Sequence, residues 1–189
     1  MAKSYVHFDP VKRGAYNKKR NNSDNIRPEL SSLNESWTGQ SLSARLAELK
    51  RLVKEKTGRA MQAKATPIRE AIVLMNPDTT MDDLHRLAAK WREEFGIEVL
   101  QIHICRDSGH WNKEGHWIPN LYARMPADFT NHDTGKSLKL SPQQMAELQD
   151  VTAEVLGMER GASSNRKRLT ALQYKIEVQR KELAAKQLL

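Results

Sequence analysis

IEVLQIHICRDSGHWNKEGHWIPNLYARM, residues 97–125, decides the fold. Residues 97–105 alternate β-branched and other side chains and form the strongest strand signal in the chain. Residues 120–125 (NLYARM) form the next one. Between them Gly-His-Trp occurs twice, at 109–111 and 115–117. Glycine turns flanked by aromatic residues read as a connection between two antiparallel strands. Residues two apart on a strand face the same side. If the two strands pair, His103 and Cys105 on one and Tyr122 and Arg124 on the other share a patch. Imidazole and thiolate both bind soft divalent metals, but a lone His and Cys in a strand serve equally well as filler. His110 and His116 lack the fixed spacing of a metal pair. Trp111 and Trp117 either pack at the base of the hairpin or offer stacking surfaces to unpaired bases.

Working outward, residues 68–75 (IREAIVLM) form a strand closed by Asn76 and Pro77. Thr80 opens a capping box with Asp83, and Met81, Leu84, Ala88, Trp91 and Phe95 mark one face of a helix that Gly96 ends. Upstream, Leu42, Leu46, Leu49 and Val53 recur at helical spacing between Ser41 and Gly58, and residues 4–8 form a short first strand. Downstream, residues 131–136 (NHDTGK) are turn chemistry. Ser141, Pro142 and Gln144 then start a helix carrying Met145, Leu148, Val151 and Val155 and ending at Gly157. The order β, long loop, α, β, α, β, β, α, α predicts an α+β domain over residues 1–160, a mostly antiparallel sheet with helices on one side. Residues 161–189 follow as a basic linker and a basic C-terminal helix. In that helix Leu169, Leu172, Ile176 and Leu183 lie near heptad spacing, so it predicts an arm, a homodimer seam or a docking helix for a partner.

Composition narrows the function classes. The chain has 189 residues, a formal charge of +8 and a single cysteine, Cys105. One cysteine excludes an intramolecular disulfide and a Cys-rich zinc cluster. The start, MAKSYVHFDP, has no apolar leader, and no stretch is long enough to span a membrane. These features predict a cytoplasmic protein. The positive charge is the balance of proteins that meet nucleic acid. It is densest in a long basic loop over residues 10–37, where KRGAYNKKRNN (12–22) interleaves cations, amides and one aromatic. Lys12, Arg13, Lys18, Lys19 and Arg20 would neutralise phosphates, Asn17 could position or read, and Tyr16 could stack on a base. A solvated loop is the alternative.

Five segments together resemble the Mob/Pre family of plasmid mobilization proteins, also called plasmid recombination enzymes, in the Bacteroides-type form. GAYNKKR is similar to the family's N-terminal basic motif. RPELSSLNESW, with Arg27 and Asn34, resembles its "R…LN" motif. IHICRDSGHW…PNLYAR resembles its strand–loop–strand metal motif. NHDTGKSLKL followed by LGMERG, and the basic linker and helix after it, are similar as well. The resemblance covers about residues 1–175. It implies the "HUH" relaxase-like endonuclease fold and an enzyme that nicks one strand at a transfer origin, single-stranded or hairpin, and stays attached to the 5′ end. It also implies a divalent metal, manganese or magnesium, held by three histidines that polarises the scissile phosphate.

The departures from the family set the expectations. The paired histidines of the family's second strand fall on Tyr122 and Arg124, and that of the first strand on Cys105, or on His103 in a register shifted by two. In the nucleophile region only Tyr16 could attack phosphorus; His7 is the next candidate. Asn34 and Arg124 complete the implied catalytic group, with His103 and Cys105 as the remaining metal ligands. Arg27, Trp111 and Trp117 join the basic loop as DNA contacts. A site reduced from three imidazoles to one should bind metal poorly, while Arg124 could clamp phosphate oxygens in its place. Three functions follow: a DNA-binding mobilization protein that has lost nicking, an active single-strand endonuclease using Tyr16, and a protein–protein module acting through the C-terminal helix.

Overall fold

The computed structural model describes residues 3–11, 25–162, 173 and 176–180. Its centre is the predicted strand pair. β6 (Gln101–Cys105) runs antiparallel to β9 (Tyr122–Asp128), with Cys105 opposite Tyr122 and His103 opposite Arg124. β4 (Ile68–Leu74) pairs antiparallel with the other edge of β9, and β2 (Val6–Pro10), which follows the short β1 (Lys3–Ser4), pairs with β4. β3 (Glu35–Thr38) closes the far side against β6, giving the order β2-β4-β9-β6-β3, with the short β5 (Glu98–Val99) also on β9.

One side of this sheet is the core. Val6, Ala71, Val73, Ile102, Ile104, Ala123 and Met125 point to it by strand alternation, and all are buried. Two helices cover them. α2 (Met81–Phe95) carries the expected capping box at Thr80 and an αL Gly96 at its end, and buries Leu84, Leu87, Trp91 and Phe95. α3 (Pro142–Val155), with its own capping box at Ser141, adds Leu148 and Thr152. The indole N–H of Trp91 donates to Thr152 Oγ1 at 3.3 Å, which satisfies the one polar atom of a fully buried ring. The chain is thus α+β, a mostly antiparallel sheet with helices on one side. A third helix, α1 (Leu42–Thr57), closes one end of the sheet through a separate cluster of Leu42, Leu49, Ile68 and Leu100.

Three expectations need correction. The single strand over 97–105 is broken at Leu100, whose carbonyl accepts Gly39 N and Gln40 N and whose side chain goes into the α1 cluster. The strand expected to stop at 125 continues through Pro126 to Asp128. The proline is tolerated because it lies where pairing on β9 passes from β6 to β5. The end of the basic loop is not a loop: residues Pro28–Leu33 are a 3-10 helix opened by a proline, and β3 follows at once. Within the C-terminal helix only residues 173 and 176–180 are described, and they are helical. Leu169, Leu172 and Leu183 lie outside the described residues. Among the described residues no helix is long and apolar enough to cross a membrane.

Candidate nucleic-acid interface

The second face of the sheet is polar, and its register can be read row by row. His7, Ile72, Arg124, His103 and Ser36 stand side by side across β2, β4, β9, β6 and β3. Leu74, Tyr122 and Cys105 form the row on one side of it, and Asp9, Glu70 and Pro126 the row on the other. The sequence brings His103, Cys105, Tyr122 and Arg124 to one face, and the paired strands place them against one another.

Arg124 is the charged centre of the row. Its Nε donates to Oε1 of Glu70 at 3.0 Å, and Nη2 lies 2.8 Å from the same oxygen as an ion pair, diagonally across β4. His103 is half-buried: Nδ1 lies 3.0 Å from Ser36 Oγ and Nε2 3.2 Å from Gln101 Oε1. Burial pushes its pKa below the usual imidazole value, and the Arg124 guanidinium pushes the same way, with Glu70 opposing. Cys105 is buried at the end of the strand. His7 lies 3.5 Å from Asp9 through Nε2.

The double Gly-His-Trp segment rises from the ends of β6 and β9 that carry Cys105 and Tyr122. It folds into a hairpin of its own, β7 (Gly109–Trp111) on β8 (Trp117–Pro119). Gly115 takes the left-handed turn position at φ 78°, and Asn112 Oδ1 accepts the amides of Glu114 and His116. The indoles of Trp111 and Trp117 meet edge to face, 5.3 Å between centroids, and the Arg27 guanidinium lies 5.9 and 5.6 Å from them. Three residues expected separately to touch DNA therefore form one cationic aromatic cluster. Trp111 leaves 57% of its surface exposed there. His110 and His116 sit on this hairpin, outside the sheet-face rows, and His116 lies 3.5 Å from Glu114.

Asn34 fastens the hairpin's root. Its Oδ1 accepts Arg106 N at 2.7 Å, and its Nδ2 donates to the buried Asp107 carboxylate at 2.7 Å, which also accepts Ser31 Oγ. Arg106 in turn donates to the carbonyls of Pro77 and Thr79 ahead of α2. Arg27 N donates to Asp107 O, and Ile26 bridges Ser108. The segment resembling the "R…LN" motif thus holds the strand–loop–strand segment in place. Sequence reading missed Asp107, Arg106 and Glu70, because their partners are up to 76 residues away and only pairing brings them together.

No family model and no curated protein matches the chain. Solved structures do. A manganese-bound MobM relaxase domain (MOBV; Mob_Pre) on 22-nucleotide plasmid pMV158 oriT DNA superposes with a TM-score of 0.65 at 17% identity, over 92% of this chain and 99% of that one. A second, manganese-bound with a 3′-thiophosphate DNA, gives 0.64 at 16% identity over 93% and 99%. A third, on 26-nucleotide oriT DNA, gives 0.54 at 14% identity over 92% and 99%. The chain has a Mob/Pre relaxase-like fold.

Within that relaxase-like fold, the residues at the expected metal position do not suit manganese or magnesium. Hard divalent ions take carboxylate, carbonyl, water or imidazole ligands. Here the paired strands offer a thiol, a phenol, a single imidazole whose two nitrogens face Ser36 and Gln101, and a guanidinium, which is always protonated and donates only. Two unit charges ~4 Å apart at an effective dielectric near 20 repel by about 4 kcal/mol, and a divalent ion doubles this. The Glu70 carboxylate on the adjacent strand is engaged with Arg124.

A different group, Glu98, Asp128 and His132, brings three potential ligand atoms within 4.8 Å of one another at the α1 end. A cation is already seated there. Arg45 reaches Glu98 through Nη2, and its Nε lies 3.1 Å from Asp128 Oδ2, close enough for an ion pair although too oblique for a hydrogen bond. His132 Nε2 is 2.7 Å from the same oxygen. Lys12, Arg13, Tyr16, Asn17, Lys18, Lys19 and Arg20 lie outside the described residues.

Proposed function

We propose that this chain is a mobilization or recombination protein that binds DNA at a transfer origin, single-stranded or hairpin, and has lost nicking. One observation carries the reading. On the sheet face of a relaxase-like fold, where a metal-binding motif is expected, the paired strands present Arg124, Tyr122 and Cys105 with a single imidazole, His103, opposite Arg124. A guanidinium retains affinity for phosphate and removes the site for the metal that would activate it. The solved domains of similar fold are bound to oriT DNA, and the Arg27–Trp111–Trp117 cluster supplies a stacking surface of the kind that single strands use.

The test is incubation of the protein with single-stranded DNA carrying a candidate transfer origin, with and without manganese. Binding without cleavage or covalent adduct is expected. A protein–DNA adduct that Tyr16→Phe abolishes would make the chain an active endonuclease instead. No DNA binding at low salt would leave the partner-docking function of the C-terminal helix as the surviving reading.

A further inference from the structure

We propose that Arg124 and Glu70 form a metal-independent phosphate site, in which Arg124 contacts a DNA phosphate and Glu70 sets how strongly it does so. The inference rests on the DNA-binding function above and adds to it the residues, the cofactor independence and a competing internal anion.

Arg124 is fixed on β9, a central strand, with neighbours on both sides. Its position therefore does not depend on a loop becoming ordered. Its side chain is one-third exposed, 33%, against 17% for Glu70. Both contacts to Glu70 fall on a single oxygen, Oε1, through Nε and Nη2. That is not the parallel fork in which a carboxylate uses both oxygens and satisfies a guanidinium edge fully. Among the described residues Nη1 makes no hydrogen bond. An anion approaching from the open face meets unused donors of a rigid cation. The flanking groups add no second negative charge to the row: His103 is turned to Ser36 and Gln101, and Ile72 on the other side is apolar.

Glu70 explains how a fixed cation can stand on this face without a metal's partners. With no anion bound it neutralises Arg124. When a phosphate binds, carboxylate and phosphate compete for the same guanidinium. Removing the Glu70 charge should therefore strengthen DNA binding, a result opposite to that expected of a residue that merely supports the fold.

The experiment measures binding of a labelled single-stranded oligonucleotide by fluorescence anisotropy across a salt series, in EDTA and in manganese. Wild type should bind equally in both. Arg124→Gln should weaken binding about tenfold and lower the salt slope by about the share of one phosphate. Glu70→Gln should tighten binding severalfold, still without dependence on manganese. If Arg124→Gln fails to fold, Arg124→Lys and Glu70→Gln decide: the lysine should retain the salt slope while losing affinity, and the glutamine variant should gain. Wild-type binding that needs manganese, or Glu70→Gln and Arg124 variants that bind like wild type, would overturn the phosphate site and leave the DNA-binding function standing. Wild type that binds no DNA under any condition would remove both.

Discussion

On His103, burial and a neighbouring cation act in the same direction, and Glu70 opposes them. The imidazole is half-buried beside a permanent cation, and its hydrogen-bond partners, Ser36 and Gln101, are neutral. Its pKa is lowered from the ordinary 6.5, by burial first and by Arg124 second. The unfolded chain then takes up this proton more readily than the folded one. Stability is therefore full above the unfolded value and falls as pH drops from there through the lowered folded value. His103→Gln keeps hydrogen-bonding capacity and removes the titration. Urea unfolding of the two proteins should match in relative stability above neutral pH, and below about 6.5 the wild type should lose ground to the variant. Parallel pH profiles would mean that His103 protonates in the folded state as easily as in the unfolded one. At the same scale, Gly109 has no alternative: a Cβ there would lie 2.5 Å from the Trp117 ring and from the Ile118 carbonyl.

The hairpin β7–β8 stands apart from the main sheet. It makes its own two-stranded sheet, and its exposed tryptophan faces Arg27 rather than the apolar interior. Removing Trp111 should therefore cost DNA affinity and little stability. Trp111→Ala should lose about 1–3 kcal/mol of single-strand binding, the usual value of one aromatic stacking interaction. Its thermal midpoint should stay near that of wild type. A lowered midpoint with unchanged affinity would assign the indole pair to hairpin packing alone. α2 behaves in the opposite way. It is capped at both ends and contributes four fully or nearly buried side chains, so its changes register in stability. There the Asp83 carboxyl is held below the usual range by the amide and hydroxyl of Thr80.

At the scale of the molecule, charge is distributed in two ways, as one buried network and as a diffuse excess. Arg45 ties α1 to β9 through Asp128, whose side chain is 1% exposed. Asp128 also accepts Thr130 N and faces His132. Arg45→Met should cost about 3–5 kcal/mol, because it leaves a buried carboxylate without its cation. The double variant Arg45→Met with Asp128→Asn should recover most of that loss in thermal denaturation. An equally unstable double variant would show that Arg45 contributes packing more than charge. The diffuse excess, +8 over the chain, acts on binding. Replacing Lys18, Lys19 and Arg20 by alanine should flatten the salt dependence of single-strand affinity, by about 0.7 for each phosphate that these cations neutralise. An unchanged slope would remove those three residues from the interface.

Local chemistry in the sequence determined the helices and their ends. Ser41, Thr80 and Ser141 cap them, Gly58 and Gly96 stop them, and their apolar spacing names the faces that are buried. It also marked strand, turn-rich connection and strand in residues 97–125, because the side-chain period and the glycines are properties of neighbours along the chain. It marked neither the break at Leu100 nor the extension to Asp128. Strand pairing decided the rest. Only the register of β9 between β4 and β6 brings Glu70 to Arg124 and sets Cys105 opposite Tyr122. Only the clamp of Asn34 on Arg106 and Asp107 joins a motif near residue 30 to the hairpin root. The Glu70–Arg124 pair and the Asn34 clamp span 54 to 73 residues. At such separations a side chain's partner is chosen by how the sheet assembles, and no periodicity in the sequence records that choice.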